Sequence, residues 1–445
     1  YDQDTGDSRL DYYYTPIDLV IDIKEGLNEF SVVCSLKDIT NLDGKEYLAK
    51  WNNRINELKN RPGIDDPLFK DLVYSADSFI SKRESTKLTT ILAGLPWFTD
   101  WGRDTMISFT GCTLVTKRFD EAKEILKSFA LYEKNGLIPN MFPDDGSMPM
   151  YNTVDASLWY FYACYKYIEY TNDKKFIIDE IYPTLQNIIY AYSHKTDNNI
   201  HMDSDYLVAC GNFDTQITWM DVKAHGIAVT PRYGKPVEIQ ALWYNALRIM
   251  DILSKETNDP TNYLEMANNV YNSFNQKFYN PNTKCLYDTI DPIDEKIRPN
   301  QAFALSLPFK VVDEKYIESI FNVIDTELYN INGLRSLSPK DKDYKPKYEG
   351  DLWTRDQAYH NGTTWGFLIG AYFDSLLYVA KDKNKAKEEI KEKIFKIKEH
   401  LNSGCLNGFA EVFNGDDAIK TKGCYTQAWS VAELLRAYYE DVLSK

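Results

Sequence analysis

Between residues 17 and 36, apolar side chains recur at every second position. Ile17, Leu19, Ile21 and Ile23 alternate with Asp18, Val20, Asp22 and Lys24, and after Glu25-Gly26 the alternation resumes in Phe30, Val32, Cys34 and Leu36. A period of two predicts strands, and here a β-hairpin. A helix over 44–60 follows, and residues 1–62 read as the tail of a β-rich domain. From about residue 64 the period turns helical. It predicts twelve helices, over 64–84, 102–116, 119–134, 154–171, 174–194, 236–256, 260–278, 300–307, 313–325, 363–381, 384–402 and 427–442. Asp66-Pro67 opens the first with a capping acid and a first-turn proline. Asn135-Gly136 closes the third as a left-handed cap does.

The connections alternate in length. Long ones (85–101, 135–153, 195–235, 279–299, 326–362 and 403–426) follow the odd-numbered helices, and short turns such as 117–118, 172–173, 257–259 and 382–383 follow even-numbered ones. Helices joined by such short turns pack as antiparallel neighbours. The 363–381 segment is apolar nearly all round, whereas 384–402 carries a single stripe of Ala386, Ile390, Ile394, Ile397 and Leu401. These are the marks of a buried inner helix and a half-wet outer one. Residues 63–445 are therefore expected to form an all-α (α/α)6 toroid of six helical hairpins, with its long loops at one end and a small β-hairpin-containing segment before it.

Composition narrows the partners. A net charge of −15 repels nucleic acid but is indifferent to a neutral polyhydroxylated ligand. No apolar run reaches the ~18 residues of a membrane span. The seven cysteines are scattered singly and the five histidines stand at no ligand spacing. Free thiols in a reducing cytoplasm are expected, with no metal and no cofactor. Aromatic residues make up 14% of the chain. Their rings suit the C–H faces of sugars, and large cores use them equally well.

Five polar clusters fall in the long loops, where catalytic groups usually reside. In Pro96–Asp104, Arg103 and Asp104 follow closely on Trp97 and Trp101, although Asp100 or Asp104 is also placed to cap the next helix. Asp155 stands where an N-cap acid would. Asp221 follows Thr218, Trp219 and Met220, an apolar setting that would disfavour its charge, and the alternative is a loop acid in an Asx-turn. Glu238 opens the sixth helix, where the helix dipole favours an acid. Trp353 to Trp365 packs indoles, a guanidinium, His360 and several amides into thirteen positions. Glu411 lies among small and aromatic residues, between Gly408 and Gly415.

With these clusters the chain resembles the C-terminal amylo-α-1,6-glucosidase part of bacterial and archaeal glycogen debranching enzymes, relatives of glucoamylase-like (α/α)6 hydrolases. The matching runs are 93–105 (AGLPWFTDWGRDT), 152–157 (NTVDAS), 218–221 (TWMD), 238–247 (EIQALWYNAL), 298–301 (RPNQ), 358–363 (AYHNGT) and 427–435 (QAWSVAELL). The resemblance implies hydrolysis of α-1,6 branch points of glycogen or limit dextrin with inversion. Asp221 is then the general acid, Glu411 the general base, and Trp101, Arg103 and Asp104 hold the terminal glucose. Trp97, Asp155, Trp219, Glu238, Arg298, Asn300, Gln301, His360, Trp365, Gln427 and Trp429 complete the expected binding set. The partner implied is an α-glucan. Asn414 stands where the family commonly has Asp. A glucosidase of other α-linkages, glucoamylase-like or trehalase-like, and a non-catalytic carbohydrate-binding toroid are the competing readings.

Overall fold

A computed structural model describes residues 17–36, 43–143, 146–402, 404 and 406–444. Its helices are α1 (Gly44–Asn60), α2 (Pro67–Asp77), α3 (Gly102–Phe109), α4 (Phe119–Ala130), α5 (Ala156–Thr171), the single turn α6 (Lys174–Phe176), α7 (Tyr182–His194), α8 (Val237–Ser254), α9 (Tyr263–Lys277), α10 (Phe303–Ser306), α11 (Glu314–Val323), α12 (Leu352–Tyr359), α13 (Leu368–Val379), α14 (Lys383–Lys398) and α15 (Ala428–Ala437). Helix α3 runs on into a π-turn, Thr110–Leu114. The Asp66 carboxylate caps α2 by accepting from the Phe69 amide at 2.8 Å. Asn135 and Gly136 take positive φ after α4.

Six of these helices touch in succession. Helix α3 packs on α5, α5 on α8, α8 on α10, α10 on α13 and α13 on α15, and α15 returns to α3. The members of this succession are buried on nearly every side, as α8 illustrates from Val237 to Leu247. Helices α2, α4, α7, α9, α11 and α14 lie against its members. Each of these buries one stripe, and in α14 the stripe is Ala386, Ile390, Ile394 and Ile397 as the spacing predicts. One continuous apolar cluster fills the space between the two sets. Helix α1 docks on α2 through ion pairs Arg54–Asp77 at 2.7 Å and Lys59–Asp71 at 2.9 Å.

Three expectations need correction. Residues 17–36 bend at Glu25-Gly26 but form no strand. Their apolar side chains stay exposed (Val20 is 92% exposed), so no layer covers either face, and an uncovered hairpin is marginal in water. Residues 1–16 and 37–42 of that segment lie outside the described residues. The connection 85–101 is not a loop. Strands Thr89–Leu95 and Phe98–Trp101 pair with each other, and Thr89–Leu95 also pairs with Ile80–Lys82, which ends the first helix early. The 326–362 connection contains α12, capped by the Asp351 carboxylate on the Thr354 amide at 2.8 Å. Its helical period is hidden because the segment has no continuous apolar stripe.

Candidate active site

The strand pair Thr89–Leu95 and Phe98–Trp101 delivers the chain straight into α3 at Gly102. The Gly102 amide donates to the Asn140 carbonyl at 2.8 Å, and a Cβ here would run into the Pro139 carbonyl, so glycine is what lets the helix begin this close. The next residue, Arg103, is buried and divides its donors among three partners. Nε donates to Asp155 Oδ2 at 2.8 Å, Nη1 to Asp221 Oδ2 at 2.8 Å and Nη2 to the Thr218 carbonyl at 3.1 Å. Asp155 precedes α5 but makes no capping bond, so its carboxylate serves the guanidinium and not the helix. Asp100 does not cap α3 either and accepts from Arg83 at 2.6 Å and Thr90 at 2.7 Å. Asp104 accepts from Gln427 Nε2 at 3.3 Å.

Trp219 and Met220 are buried, but Asp221 turns the other way, and its side chain is 30% exposed. The apolar enclosure expected for it is absent. Its Oδ1 has no protein partner among the described residues.

Glu411, 190 residues further along the chain than Asp221 (411 − 221), comes close enough for the two carboxyls to interact. It leads into strand Val412–Phe413, which pairs with Thr364–Trp365 on one edge and Thr421–Lys422 on the other. Its carboxylate is almost sealed from water and held twice. The Tyr359 hydroxyl, on the last turn of α12, donates to Oε1, and the Cys424 amide donates to Oε2 at 2.8 Å. Gly423 adopts φ +65°, and a Cβ there would strike Oε2.

These carboxyls act on one another. Burial pushes Glu411 up to about 7, the bonds from Tyr359 and Cys424 oppose the rise, and the charge of Asp221 adds to it. Burial also lifts Asp104 to about 7, against Arg103 and with the charges of Asp221 and Glu411. Asp155 rises to about 6, again through burial first, with Arg103 opposing. Three buried carboxyls therefore change protonation close to neutrality in the field of Asp221. Such a site can give up one proton and take another at ordinary pH.

The remaining expected residues divide into two groups. Trp97 is half exposed, with its ring 5.2 Å from Tyr425, and Trp101 is partly exposed, edge-on to Phe98 at 6.3 Å. The others are buried, and most spend their polar atoms on protein. Trp219 Nε1 donates to Asn300 Oδ1 at 2.6 Å, and Asn300 Nδ2 to Asp288 at 2.7 Å. Glu238 is held in a fork by Arg232, which also grips Asp288 at 2.6 Å. Arg298 donates to the carbonyls of Ser336 and His360 and to Asn361. Gln301 donates to the Arg298 carbonyl and accepts from the Leu286 amide.

His360 stacks on Trp365 at 5.0 Å and meets Trp219 edge-on. Burial, then Arg298, Arg103 and Arg232, drive its pKa well below the usual range, so it is neutral. Trp429 stacks on Phe367 at 4.3 Å. Sequence reasoning missed Tyr359, Arg232, Asp288 and the Cys424 amide. Tyr359 was visible only as a member of the cluster 353–365 and of the run 358–363, with no role of its own. Arg232 and Asp288 lie in loops far apart in the chain, with no spacing to link them.

A sequence model described as amylo-α-1,6-glucosidase matches residues 74–436. The glycogen debranching enzyme of Saccharomyces cerevisiae is 27% identical over an alignment of 489 residues, which covers 83% of this chain and 32% of that protein. The chain thus spans about a third of this relative's length. Among solved structures, a metal-independent α-mannosidase of Streptococcus pneumoniae, in a non-productive complex with α-1,6-mannobiose, superposes with a TM-score of 0.58 at 13% identity. The match covers 90% of this chain and 99% of that one, and shows a shared fold.

Proposed function

The chain belongs to the amylo-α-1,6-glucosidase family, and on that premise we propose that it releases glucose from α-1,6 stubs of glycogen or limit dextrin by inverting hydrolysis. The observation that carries this is the arrangement around Arg103. One buried guanidinium holds Asp221 by one carboxylate oxygen, while Tyr359 and Cys424 fix the carboxylate of Glu411. In the reaction, Asp221 gives its proton to the glycosidic oxygen as the C1–O bond breaks. Glu411 takes a proton from the water whose oxygen attacks C1 from the opposite face. The step leaves Asp221 ionised beside Arg103 and Glu411 protonated, and the product is β-glucose. Arg103 at 2.8 Å favours the carboxylate that the step creates. Inversion requires the two carboxyls roughly 6.5–9.5 Å apart, with room for the water.

The closed succession of α3, α5, α8, α10, α13 and α15 supports an (α/α)6 toroid, with the site at the end where α3, α5, α8 and α15 begin. Asp104 and Trp101 are assigned to the glucose in the cleft, and Arg103 acts on it through the Asp221 carboxylate that it holds. Trp219, Glu238, Arg298, Asn300, Gln301, Trp365 and Trp429 are assigned to the walls that hold it, because they are buried and, Trp429 and the Arg298 Nε apart, their polar groups are bonded to protein. The free thiols Cys112, Cys164, Cys210, Cys285 and Cys424 support a reducing, cytoplasmic setting.

The test is proton NMR of a limit dextrin bearing single-glucose α-1,6 stubs, with maltose and trehalose as comparisons. β-Glucose appearing first, from the dextrin in preference to the disaccharides, is the expected result. α-Glucose appearing first would overturn the inverting assignment. Faster cleavage of maltose or trehalose would overturn the linkage.

A further inference from the structure

Helix α7 turns Leu185, Ile188, Ile189 and Tyr192 to the core and Asn187, Tyr190 and His194 to solvent. A wet helix face is served by polar side chains, yet here it carries a tyrosine that is 66% exposed. The Tyr190 ring stacks on the His194 imidazole at 4.2 Å, 22° from parallel, and His194 Nδ1 donates to the Tyr190 carbonyl at 2.9 Å. That bond fixes the imidazole against the phenol, and the pair forms a firm aromatic step clear of the core. Tyr192, two residues on, donates to the Val154 carbonyl at 2.7 Å, next to the Asp155 that Arg103 holds. The step therefore stands at the end of α7 that lies beside the candidate site.

Two cavities, of about 620 Å³ and 530 Å³, meet at this step, and Asn187, Tyr190 and His194 line both. Ile189, Met202 and Met266 give the larger one an apolar lining, and no Asp, Glu, Lys or Arg borders it. In a chain of net charge −15, a recess without acids suits a neutral ligand. Its polar groups are partly unspent. The Asn187 amide and the Tyr190 hydroxyl bond to no described residue, and the Ser193 Oγ is buried without a partner. An aromatic face, an apolar lining and unspent amide and hydroxyl groups together match a sugar ring.

We propose that the Tyr190–His194 step holds an α-glucan chain of the branched polymer at a second site, separate from the cleft of Asp221 and Glu411. One glucose ring stacks on Tyr190, and neighbouring units occupy the two cavities. The inference rests on the glucan substrate proposed above, but the hydrolytic step does not require it. A polymer held at one point presents its other chain ends to the cleft at a raised effective concentration. The anchor therefore adds affinity for glycogen and none for a small substrate.

Electrophoresis of the full chain through native gels containing glycogen reads this binding without reference to hydrolysis. The dissociation constant for glycogen is expected to rise about tenfold in Tyr190→Ala and to stay within about twofold in Tyr190→Phe, which keeps the ring. His194→Ala, which leaves the phenol unsupported, should weaken binding in the same direction. KM on limit dextrin should rise in Tyr190→Ala by a like factor, with kcat unchanged. Hydrolysis of α-glucosyl fluoride, which carries one glucose and no glucan chain, should also be unchanged. A glycogen constant that does not move overturns the inference. An equal fall on the fluoride overturns it too, because the effect of Tyr190 would then lie in the cleft. If the wild type cleaves neither substrate, the proposed function fails on its own and the gels alone decide. Retardation that Tyr190→Ala weakens sustains the second site, and a wild type that glycogen does not retard overturns it.

Discussion

Arg103 and Asp155 form a pair sealed from water, with Nε and Oδ2 2.8 Å apart and both side chains about 2% exposed or less. A second donor of the same guanidinium reaches Asp221. One planar cation thus fixes two carboxylates from separate loops, a task that needs a fork of donors and not a point charge. Arg103→Lys is expected to leave Asp155 short of a partner and to lower stability by about 3 kcal/mol. It should also cut kcat/KM on limit dextrin by about 100-fold or more. Calorimetric melting and steady-state kinetics check the two effects.

The acid and base roles separate on a substrate whose leaving group needs no proton. Asp221→Asn should lose about 10³-fold in kcat on limit dextrin but far less on α-glucosyl fluoride, because fluoride departs without acid assistance. Glu411→Gln should lose comparable activity on both substrates, since water activation is common to them. If Asp221→Asn were equally impaired on both, the acid assignment would fail.

Tyr359 donates to the carboxylate of Glu411 and holds its pKa below where burial alone would put it. Tyr359→Phe removes that donor, so the Glu411 pKa should rise further. A base must be ionised to act, and the acidic limb of kcat/KM against pH should therefore move to higher pH. With the wild-type limb near pH 7, an unmoved limb in the variant would show that Tyr359 does not set the base.

The folded-state pKa of Glu411 lies above its ordinary value, so between roughly pH 4.5 and 7 the folded chain binds a proton that the unfolded chain has lost. The neutral carboxyl supports the fold below that window, and its ionisation opposes the fold above it. Glu411→Gln removes the ionisation. Its stability relative to wild type should improve by up to about 3 kcal/mol between pH 5 and pH 8. Denaturant unfolding at the two pH values measures this, and a difference independent of pH would contradict it.

Gly423→Ala tests the cradle of the base directly. The added Cβ meets Oε2 of Glu411 at a backbone position of positive φ, so activity should fall by about 100-fold or more while most of the fold survives. Kinetics and circular dichroism together separate the two effects.

Legibility followed apolar spacing. The helices that bury one stripe or every face were visible, the first of them ending seven residues early (84 − 77), because burial repeats every three to four positions. Helix α12 was not visible, since Leu352 and Trp353 face outward and no stripe marks it. The alternation over 17–36 predicted strands that do not form, because period two needs a covering layer that nothing here supplies. At the site, Arg103, Asp104, Asp155, Asp221 and Glu411 could be picked out as polar groups in loops among aromatics. Their division of labour could not. That Asp155 serves Arg103 in place of its own helix, and that Trp219 points away from the cleft, depend on which way side chains turn where strands of two or three residues meet.

The bond between Asp104 and Gln427 joins positions 323 residues apart, and α15 closes on α3 directly after it. A chain growing from its amino end holds Arg103 and Asp221 long before it has Glu411 or a final helix to seal the core. The candidate site is thus incomplete until nearly all of this region has been made, and closure of α15 on α3, a contact of very high sequence separation, falls at the slow end of folding. Synthesis order itself then brings the two carboxylates together only at the end.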